Sequence, residues 1–224
     1  MNILLVAATP PETAQIREQL GIDMEQTSLG SAHFASHKID LLHTGIGMVN
    51  TAYHMGRYLA LHQVDQAINF GIAGSFDRSL ALGEVVEIRE DSFSELGAED
   101  GEAFLDLGEM GFPLSILNGK AVYNSLQNPW SSPFDLKNVK ALTINRVHGN
   151  TASIKKTQQR WKAEVESMEG AAFFHACLEA NIPFYALRSI SNYVERRDKS
   201  KWNIPLALST VQNLLFQHLN ESLL

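Results

Sequence analysis

The stretch EVESMEGAAFFHACLEANIPFYALRSISNYVE, residues 164–195, contains two apolar runs on either side of one helical segment. The runs at 165–167 and 184–190 are short enough for buried strands of a parallel sheet. The segment between them has apolar residues at the i, i+3, i+4 and i+7 positions of a helix face, namely Phe173, Ala176, Cys177 and Ala180. The order strand, helix, strand predicts an α/β fold.

Polar side chains stand where these two predicted strands end. Glu169 lies at the junction between the first strand and the helix, and Asn192 follows the second strand directly after Ser191. In open α/β sheets, ligands bind in the crevice outside the carboxyl ends of the strands. A carboxylate and an amide are therefore predicted to meet a ligand at one edge of the sheet.

The rest of the chain continues this alternation of strands and helices. Helices are predicted after Gly47 and at 152–161 and 203–219, and further strands at 2–8, 39–45, 66–70, 82–88 and 139–147. We therefore expect one α/β domain over residues 1–224, in which helices flank a central mixed, largely parallel twisted sheet in three layers.

Three local predictions accompany this fold. The strand at 66–70 ends at Phe70 in a glycine-rich turn, and the acidic stretch at 89–119 is a solvated excursion from the sheet. The helix after Gly47 has an apolar face that consists of Val49, Tyr53, Gly56 and Ala60. Each of these features should be visible in the structure.

Composition and charge exclude several classes of protein. The 224 residues are 45% hydrophobic, and the net charge of −7 argues against a nucleic-acid binder. The single cysteine, Cys177, excludes an internal disulfide framework. We expect a cytoplasmic protein without membrane contact, because the sequence has neither a signal peptide nor an apolar run of roughly 20 residues. Neither a metal site nor a cofactor is predicted, and a GxSxG serine elbow is absent.

The strings VESMEGAA at 165–172 and RSISN at 188–192 resemble the nucleoside phosphorylase and nucleosidase superfamily. The resemblance implies a nucleoside phosphorylase-like fold and a small purine nucleoside as the partner. It also implies that Met168 and Glu169 hold the ribose, while Asn192 and Ser191 meet the purine base. The longer string RSISNYVERRDKSKW at 188–202 is similar to the futalosine hydrolases, nucleosidases of an alternative menaquinone pathway.

Two other segments enter the site by the same resemblance. The string NFGIAGS at 69–75 is similar to a segment that runs under the ribose and base, which implies contacts from Phe70, Ala73 and Gly74. The turn before the helix at 152–161 contacts the base in the superfamily, and it corresponds to Val147 and His148 here.

Glu12 has two interpretations. Its position after Thr9 and two prolines is typical of a capping charge in the first turn of a helix. Nucleosidases of the superfamily carry an acidic cluster just after the first strand, and one of its glutamates activates water. The resemblance therefore implies that Glu12 is the general base. Water is the expected nucleophile, because related phosphorylases have an arginine where this chain has Thr9, Pro10 and Pro11.

Asn192 replaces the aspartate of adenine-releasing nucleosidases. An amide can donate to a 6-oxo group and accept from a protonated N7. A carboxylate could not form a hydrogen bond with O6, because both are acceptors. Hypoxanthine, the base of futalosine, is therefore the better match. A methylthioadenosine or adenosylhomocysteine nucleosidase and a catalytically silent nucleoside-binding protein are the alternatives.

The resemblance leaves two further roles open. Futalosine carries a benzoate on its 5′ side, and the candidates to receive that group are Arg196, Arg197, Lys199 and Lys201, with Trp202 as a flat partner. Arg188 lies inside the second strand, and a structural ion-pair partner is one interpretation of its open role. Members of the superfamily are usually homo-oligomers, so at least a dimer is expected.

Overall fold

The computed structural model describes residues 1–24 and 27–221 and contains a mixed sheet between layers of helices. The helices are α1 (Ala14–Leu20), α2 (Met48–Leu59), α3 (Leu107–Met110), α4 (Thr151–Trp161), α5 (Gly170–Glu179) and α6 (Ile204–Glu221). The strands are β1 (Asn2–Ala7), β2 (Leu29–Phe34), β3 (His37–His43), β4 (Gln66–Ser75), β5 (Val85–Phe93), β6 (Gly97–Asp100), β7 (Ala103–Asp106), β8 (Ser115–Leu117), β9 (Lys120–Val122), β10 (Ser125–Gln127), β11 (Lys137–Thr143), β12 (Val165–Ser167) and β13 (Phe184–Tyr193). Within the described ranges, no helix is both long and apolar enough to cross a membrane.

The sheet combines two sets of parallel strands. Strands β3, β1, β4 and β13 are neighbours in this order and run parallel, as do β5, β11 and β12. Antiparallel pairing of β12 with β4 and of β13 with β5 joins the two sets. Strands β2 and β10 pair antiparallel at the edges, and β6–β7 and β8–β9 form separate hairpins. The predicted mixed, largely parallel sheet is confirmed.

Strand β1 shows how one apolar run supports two cores. Leu4 and Val6 pack in the core under α2 and α5, while Ile3, Leu5 and Ala7 pack in the core under α1 and α6. Successive side chains of a strand point to opposite faces of the sheet. An unbroken apolar run is therefore stable only where helices cover both faces, and each fully buried leucine contributes roughly 2 kcal/mol.

The apolar face predicted for α2 is wrong. The helix buries Thr51, Met55 and Tyr58. The predicted face is exposed and consists of Val49, Tyr53, Gly56 and Ala60. Apolar residues recur at helical spacing on both sides of α2, so periodicity alone could not choose the side that meets the sheet. Ala180, predicted to be buried by α5, is also exposed, because it lies at the C-terminal cap of that helix.

Two predicted strand ends are also wrong. Strand β4 continues past Phe70 to Ser75, because β13 pairs alongside it as far as Tyr193. Strand β5 runs into the acidic stretch and ends at Phe93, so that Asp91 is fully buried instead of solvated. The extension of β4 brings Ile72, Ala73 and Gly74 to the cavity described next.

Candidate active site

A cavity of about 370 Å³ lies where β1, β4, β12 and β13 meet the start of α6. Its volume is within the range of small-molecule sites, which is roughly 300–1,000 Å³. Eight of the ten site residues predicted from the sequence line it, namely Glu12, Ala73, Gly74, Val147, Met168, Glu169, Ser191 and Asn192. Ile204 and Leu208, at the start of α6, form part of the apolar wall.

The structure does not place Phe70 or His148 on this cavity wall. Phe70 is fully buried in the core under α1 and α6, because it lies in the middle of β4 and not at a strand end. The ring of His148 pairs with Glu166 and borders a second cavity of about 390 Å³. His148 is thus connected to the cavity through Glu166, whereas Phe70 is a core residue.

Glu12 ends the 3₁₀ helix Pro10–Glu12, which follows β1. Its Oε2 accepts hydrogen bonds from the backbone N–H of Thr9 at 2.8 Å and from the Thr9 hydroxyl at 2.9 Å. Its Oε1 lies against β4, where a β-carbon on Gly71 would be only 2.5 Å away. Glu12 thus caps the turn with one oxygen and also lines the cavity.

The surroundings of Glu12 favour its protonated form. Burial raises the pKa of Glu12, and the negative charge of Glu169 raises it further, whereas the hydrogen bonds from Thr9 and the charge of Arg188 oppose the rise. A general base is most efficient when its pKa is close to the working pH. The direction of the shift therefore suits a carboxylate that takes a proton from water near neutral pH.

Backbone donors fix Glu169, which is the N-cap residue of α5. Its Oε1 accepts a hydrogen bond from the N–H of Gly47 at 2.9 Å, and its Oε2 accepts one from the N–H of Met168 at 3.2 Å. Gly47 has a φ of 95°, a conformation that favours glycine. The turn before α2 is thereby shaped to hold a carboxylate at the cavity wall.

Asn192 lies inside β13, next to a shift in the register with β4 between Ile190 and Asn192. Such bulges redirect side chains, and they are common beside active sites. The Nδ2 of Asn192 donates to the carbonyl of Tyr193 at 3.1 Å, and its Oδ1 accepts from the Ser191 hydroxyl at 2.8 Å. The second amide hydrogen is available for a ligand in the cavity.

Glu166 is a site residue that sequence reasoning missed. Its buried carboxylate lines the cavity from β12. Its Oε1 accepts from the N–H of His148 at 3.1 Å, and its Oε2 is 2.5 Å from Nδ1 of the same histidine. The hydrogen bond that His148 donates to the Glu166 carboxylate raises the pKa of His148. The sequence does contain a signal for Glu166, namely an acidic residue inside a short apolar strand. A charge buried in such a strand requires a partner.

Arg188 is buried in β13 and makes no ion pair with any described carboxylate, so the ion-pair interpretation is wrong. Its guanidinium donates to the carbonyl of Leu187 at 3.0 Å and to the side-chain oxygen of Asn69. Burial raises the pKa of both Glu12 and Asp91, and the positive charge of Arg188 opposes that rise in each case. Arg188 thus provides the positive charge behind an acidic site.

Metal ligation is not supported by this arrangement. In the part of the chain that the structure describes, no group of three or more His, Cys, Asp or Glu side chains is arranged to hold a metal ion. The three carboxylates on the cavity wall are Glu12, Glu166 and Glu169, and each is bound by N–H or O–H donors of the protein.

Asp91 should make the stability of the fold depend on pH. Its Oδ1 accepts from the Thr143 hydroxyl at 2.8 Å, its Oδ2 has no partner among the described residues, and burial raises its pKa to about 7. The unfolded pKa is about 4. Protonated Asp91 therefore stabilises the fold fully at low pH, and this stabilisation is lost as the pH rises through about 7.

Because of Asp91, the free energy of unfolding measured with urea should fall by on the order of 2 kcal/mol between about pH 5.5 and about pH 8. The variant Asp91→Asn should flatten that dependence, because it has no proton to lose. If the free energy of unfolding depends on pH equally in the variant and in the parent protein, Asp91 is not the group responsible.

Comparison with known proteins gives the family of this chain. The sequence profile of the phosphorylase superfamily matches residues 2–220. A futalosine hydrolase from Thermus thermophilus is 34% identical over 176 residues, which are 76% of this chain and 76% of that protein. A 5′-methylthioadenosine/S-adenosylhomocysteine nucleosidase from Colwellia psychrerythraea is 29% identical over 86% of this chain and 84% of that protein.

The fold comparison agrees with the sequence comparison. The structure of a futalosine hydrolase from Helicobacter pylori superposes with a TM-score of 0.80, over 99% of this chain and 98% of that one, at 17% identity. The profile match covers nearly the whole chain, and the Thermus relative matches three quarters of it. The chain is therefore a member of the phosphorylase superfamily.

Proposed function

We propose that this protein hydrolyses the N-glycosidic bond of futalosine and releases hypoxanthine. The observation that carries the proposal is that Glu12, Glu169 and Asn192 line one cavity of nucleoside size. The relative from Thermus thermophilus that is named a futalosine hydrolase supports the choice of substrate. The whole chain acts as one domain in this proposal, and the reaction requires neither a metal nor a cofactor.

The sugar side of the site explains how the bond would break. Hydrolysis passes through a ribose with oxocarbenium character, which nearby negative charge stabilises. Glu12 takes a proton from the attacking water. Glu169 accepts hydrogen bonds from the 2′ and 3′ hydroxyls of the ribose, and Met168 packs against the ring. The carboxylate of Glu166 adds negative charge on the same wall.

The base side of the site suits a 6-oxopurine. The free amide hydrogen of Asn192 donates to O6, and its Oδ1 accepts from N7–H after solvent water has protonated N7, since the amide supplies no proton itself. That oxygen becomes available when the Ser191 hydroxyl donates to the carbonyl of Ala73, which is already 3.1 Å away. Gly74 and Val147 complete this part of the wall. The leaving hypoxanthine thus gains a donor at the atom where negative charge accumulates.

Water is favoured over phosphate as the nucleophile. Phosphate is a multiply charged anion, and it would enter a cavity that Glu12, Glu166 and Glu169 line. Like charges at such short range in a partly buried site repel strongly. A neutral water molecule meets no such barrier, and it can be oriented by Glu12.

A methylthioadenosine/adenosylhomocysteine nucleosidase is the second candidate, favoured by the Colwellia relative. The purified protein should be incubated with futalosine, methylthioadenosine and inosine, and the free base should be quantified. The proposal predicts hypoxanthine from futalosine as the fastest release. Faster release of adenine from methylthioadenosine would support the second candidate, and release from no substrate would support a silent binding protein.

Gly71→Ala should lower kcat about 100-fold, because small displacements of a catalytic group have effects of this size. The added methyl group would lie 2.5 Å from the Glu12 Oε1 and would force that carboxylate aside. The melting temperature should change little, since the contact is with the end of a flexible side chain. Parental kcat in this variant would show that the observed position of Glu12 is unimportant.

We also propose that the protein is at least a dimer, formed through the exposed face of α2. Ile46, Val49 and Tyr53 are 58%, 77% and 61% exposed, and Ile46 also lines the cavity. Contiguous exposed apolar residues commonly mark interfaces. A second subunit on this face would therefore cover one side of the cavity mouth.

Tyr53→Glu should shift the mass measured by light scattering to that of a monomer, because a carboxylate would be buried at the interface. Gln158→Glu, on the exposed side of α4, is the matched control and should keep the parental mass. A monomeric parent protein, or a dimer that persists in Tyr53→Glu, would rule out this interface.

A further inference from the structure

The segment that joins β13 to α6 forms one side of the cavity. Trp202 lines the cavity next to Ile204 and Leu208. The segment is fixed to the site, because the N–H of Asn203 donates to the carbonyl of Ser191 at 2.8 Å. Trp202 is therefore held close to the end of β13, where it contributes a flat apolar surface.

The cations of this segment differ in whether a carboxylate neutralises them. Lys201 is 3.1 Å from Oε1 of Glu195, and Arg78 is 2.5 Å from Oε2 of the same glutamate. Arg197 has no carboxylate within ion-pair distance among the described residues. Its guanidinium carbon lies 5.2 Å from the centroid of the Trp202 ring. Arg197 thus offers a positive charge beside a residue of the cavity wall.

The loop that contains Val147 and Gly149 lies against Arg197. A β-carbon on Gly149 would be 3.4 Å from the β-carbon of Arg197, and Val147 in the same loop lines the cavity. Arg197 therefore lies between this loop and Trp202, at the rim of the cavity. A guanidinium stacked on an aromatic face keeps the N–H groups along its edge free for a planar anion.

We propose that Arg197 and Trp202 form a subsite for a planar, anionic group on the 5′ side of the nucleoside, namely an aromatic carboxylate. This proposal rests on the proposed function, in which the ribose and base occupy the deeper part of the cavity. The aromatic ring packs in the apolar region of Trp202 and Leu208. The carboxylate receives a charge-assisted pair of hydrogen bonds from Arg197.

Steady-state kinetics test the subsite with two substrates, futalosine and its methyl ester. Arg197→Ala should raise KM for futalosine roughly tenfold with little change in kcat, since one charge-assisted contact is lost. The KM for the methyl ester should not change. Arg196→Ala is the matched control, because this neighbouring exposed arginine does not stack on Trp202, and it should behave like the parent protein. Equal effects on the acid and the ester, or equal effects of the two variants, would overturn the proposal.

A binding measurement separates failure of the subsite from failure of the proposed function. If the parent protein cleaves no nucleoside, the proposed function fails. The subsite is then tested separately by adding benzoate alone while tryptophan fluorescence is measured. Methyl benzoate is the neutral control. The subsite predicts quenching by benzoate only, weakened about tenfold in Arg197→Ala and lost in Trp202→Phe. Equal binding of benzoate to Arg197→Ala, or none to the parent protein, would overturn the subsite.

Discussion

Glu12→Gln should reduce the rate of base release about 1,000-fold and leave nucleoside binding intact. General-base catalysis contributes roughly 10²–10⁴ to a rate, and the amide cannot take a proton from water. The loss should appear in kcat and not in the dissociation constant, because the proposed function assigns the contacts to ribose and base to Glu169 and Asn192. Single-turnover kinetics and calorimetric titration of a non-hydrolysable nucleoside measure the two quantities separately.

The fold should tolerate this substitution. The side-chain carbonyl of glutamine can accept the two hydrogen bonds that Thr9 donates to the Glu12 Oε2. Burial raises the pKa of Glu12, so removal of its charge also removes a desolvation penalty. The melting temperature should therefore not fall. Activity within tenfold of that of the parent protein would show that Glu12 is a capping charge and not the general base.

The pH dependence of the same reaction provides an internal check. A base acts only when it is ionised, so activity should be present above the pKa of Glu12 and should fall as the pH drops through it. Since burial raises that pKa, the acid limb should lie above the range of an exposed glutamate. The residual activity of Glu12→Gln should show no such limb.

Asn192→Asp should reverse the preference for the base. With inosine, kcat/KM should fall about 100-fold, because a carboxylate facing O6 leaves two acceptors unpaired in a buried site. With adenosine it should rise, since the carboxylate can accept a hydrogen bond from the 6-amino group. The Ser191 hydroxyl can donate to either side chain, so the local structure should persist.

Inosine and adenosine are the appropriate pair for this test, because they differ at position 6 of the base and share the same sugar. The ratio of their kcat/KM values isolates the contact of residue 192. Asn192→Ala is the control, and it should lose activity with both nucleosides and lose the preference between them without reversing it. If Asn192→Asp keeps the parental ratio, Asn192 does not select the base.

The sequence predicted those features that depend on local rules. The apolar run of β1 and the helix after Glu169 follow from strand and helix periodicity, whereas Asn192, predicted to follow a strand, lies inside β13. Because polar residues at strand ends converge at one edge of an α/β sheet, the pairing of Glu169 with Asn192 in one cavity was predictable. The role expected of Glu12 came from family resemblance, since its position alone indicated a capping charge.

The other features depend on contacts between distant segments. Strand β13 pairs with both β4 and β5, and this double pairing extends the strands beyond their predicted ends. It places Asp91 in the interior and keeps Phe70 in the core. The pairing of Glu166 with His148 likewise joins two segments that no local pattern connects. Local periodicity carries no information about such pairings.

Hydrolysis of futalosine in oxygen-18-labelled water, in a buffer without phosphate, tests the proposed function most directly. The free base and the released sugar product are analysed by mass spectrometry. The proposed reaction releases hypoxanthine and leaves one labelled oxygen at C1 of the ribose product. Failure to release hypoxanthine, or release only when phosphate is added with formation of a sugar phosphate, would contradict it.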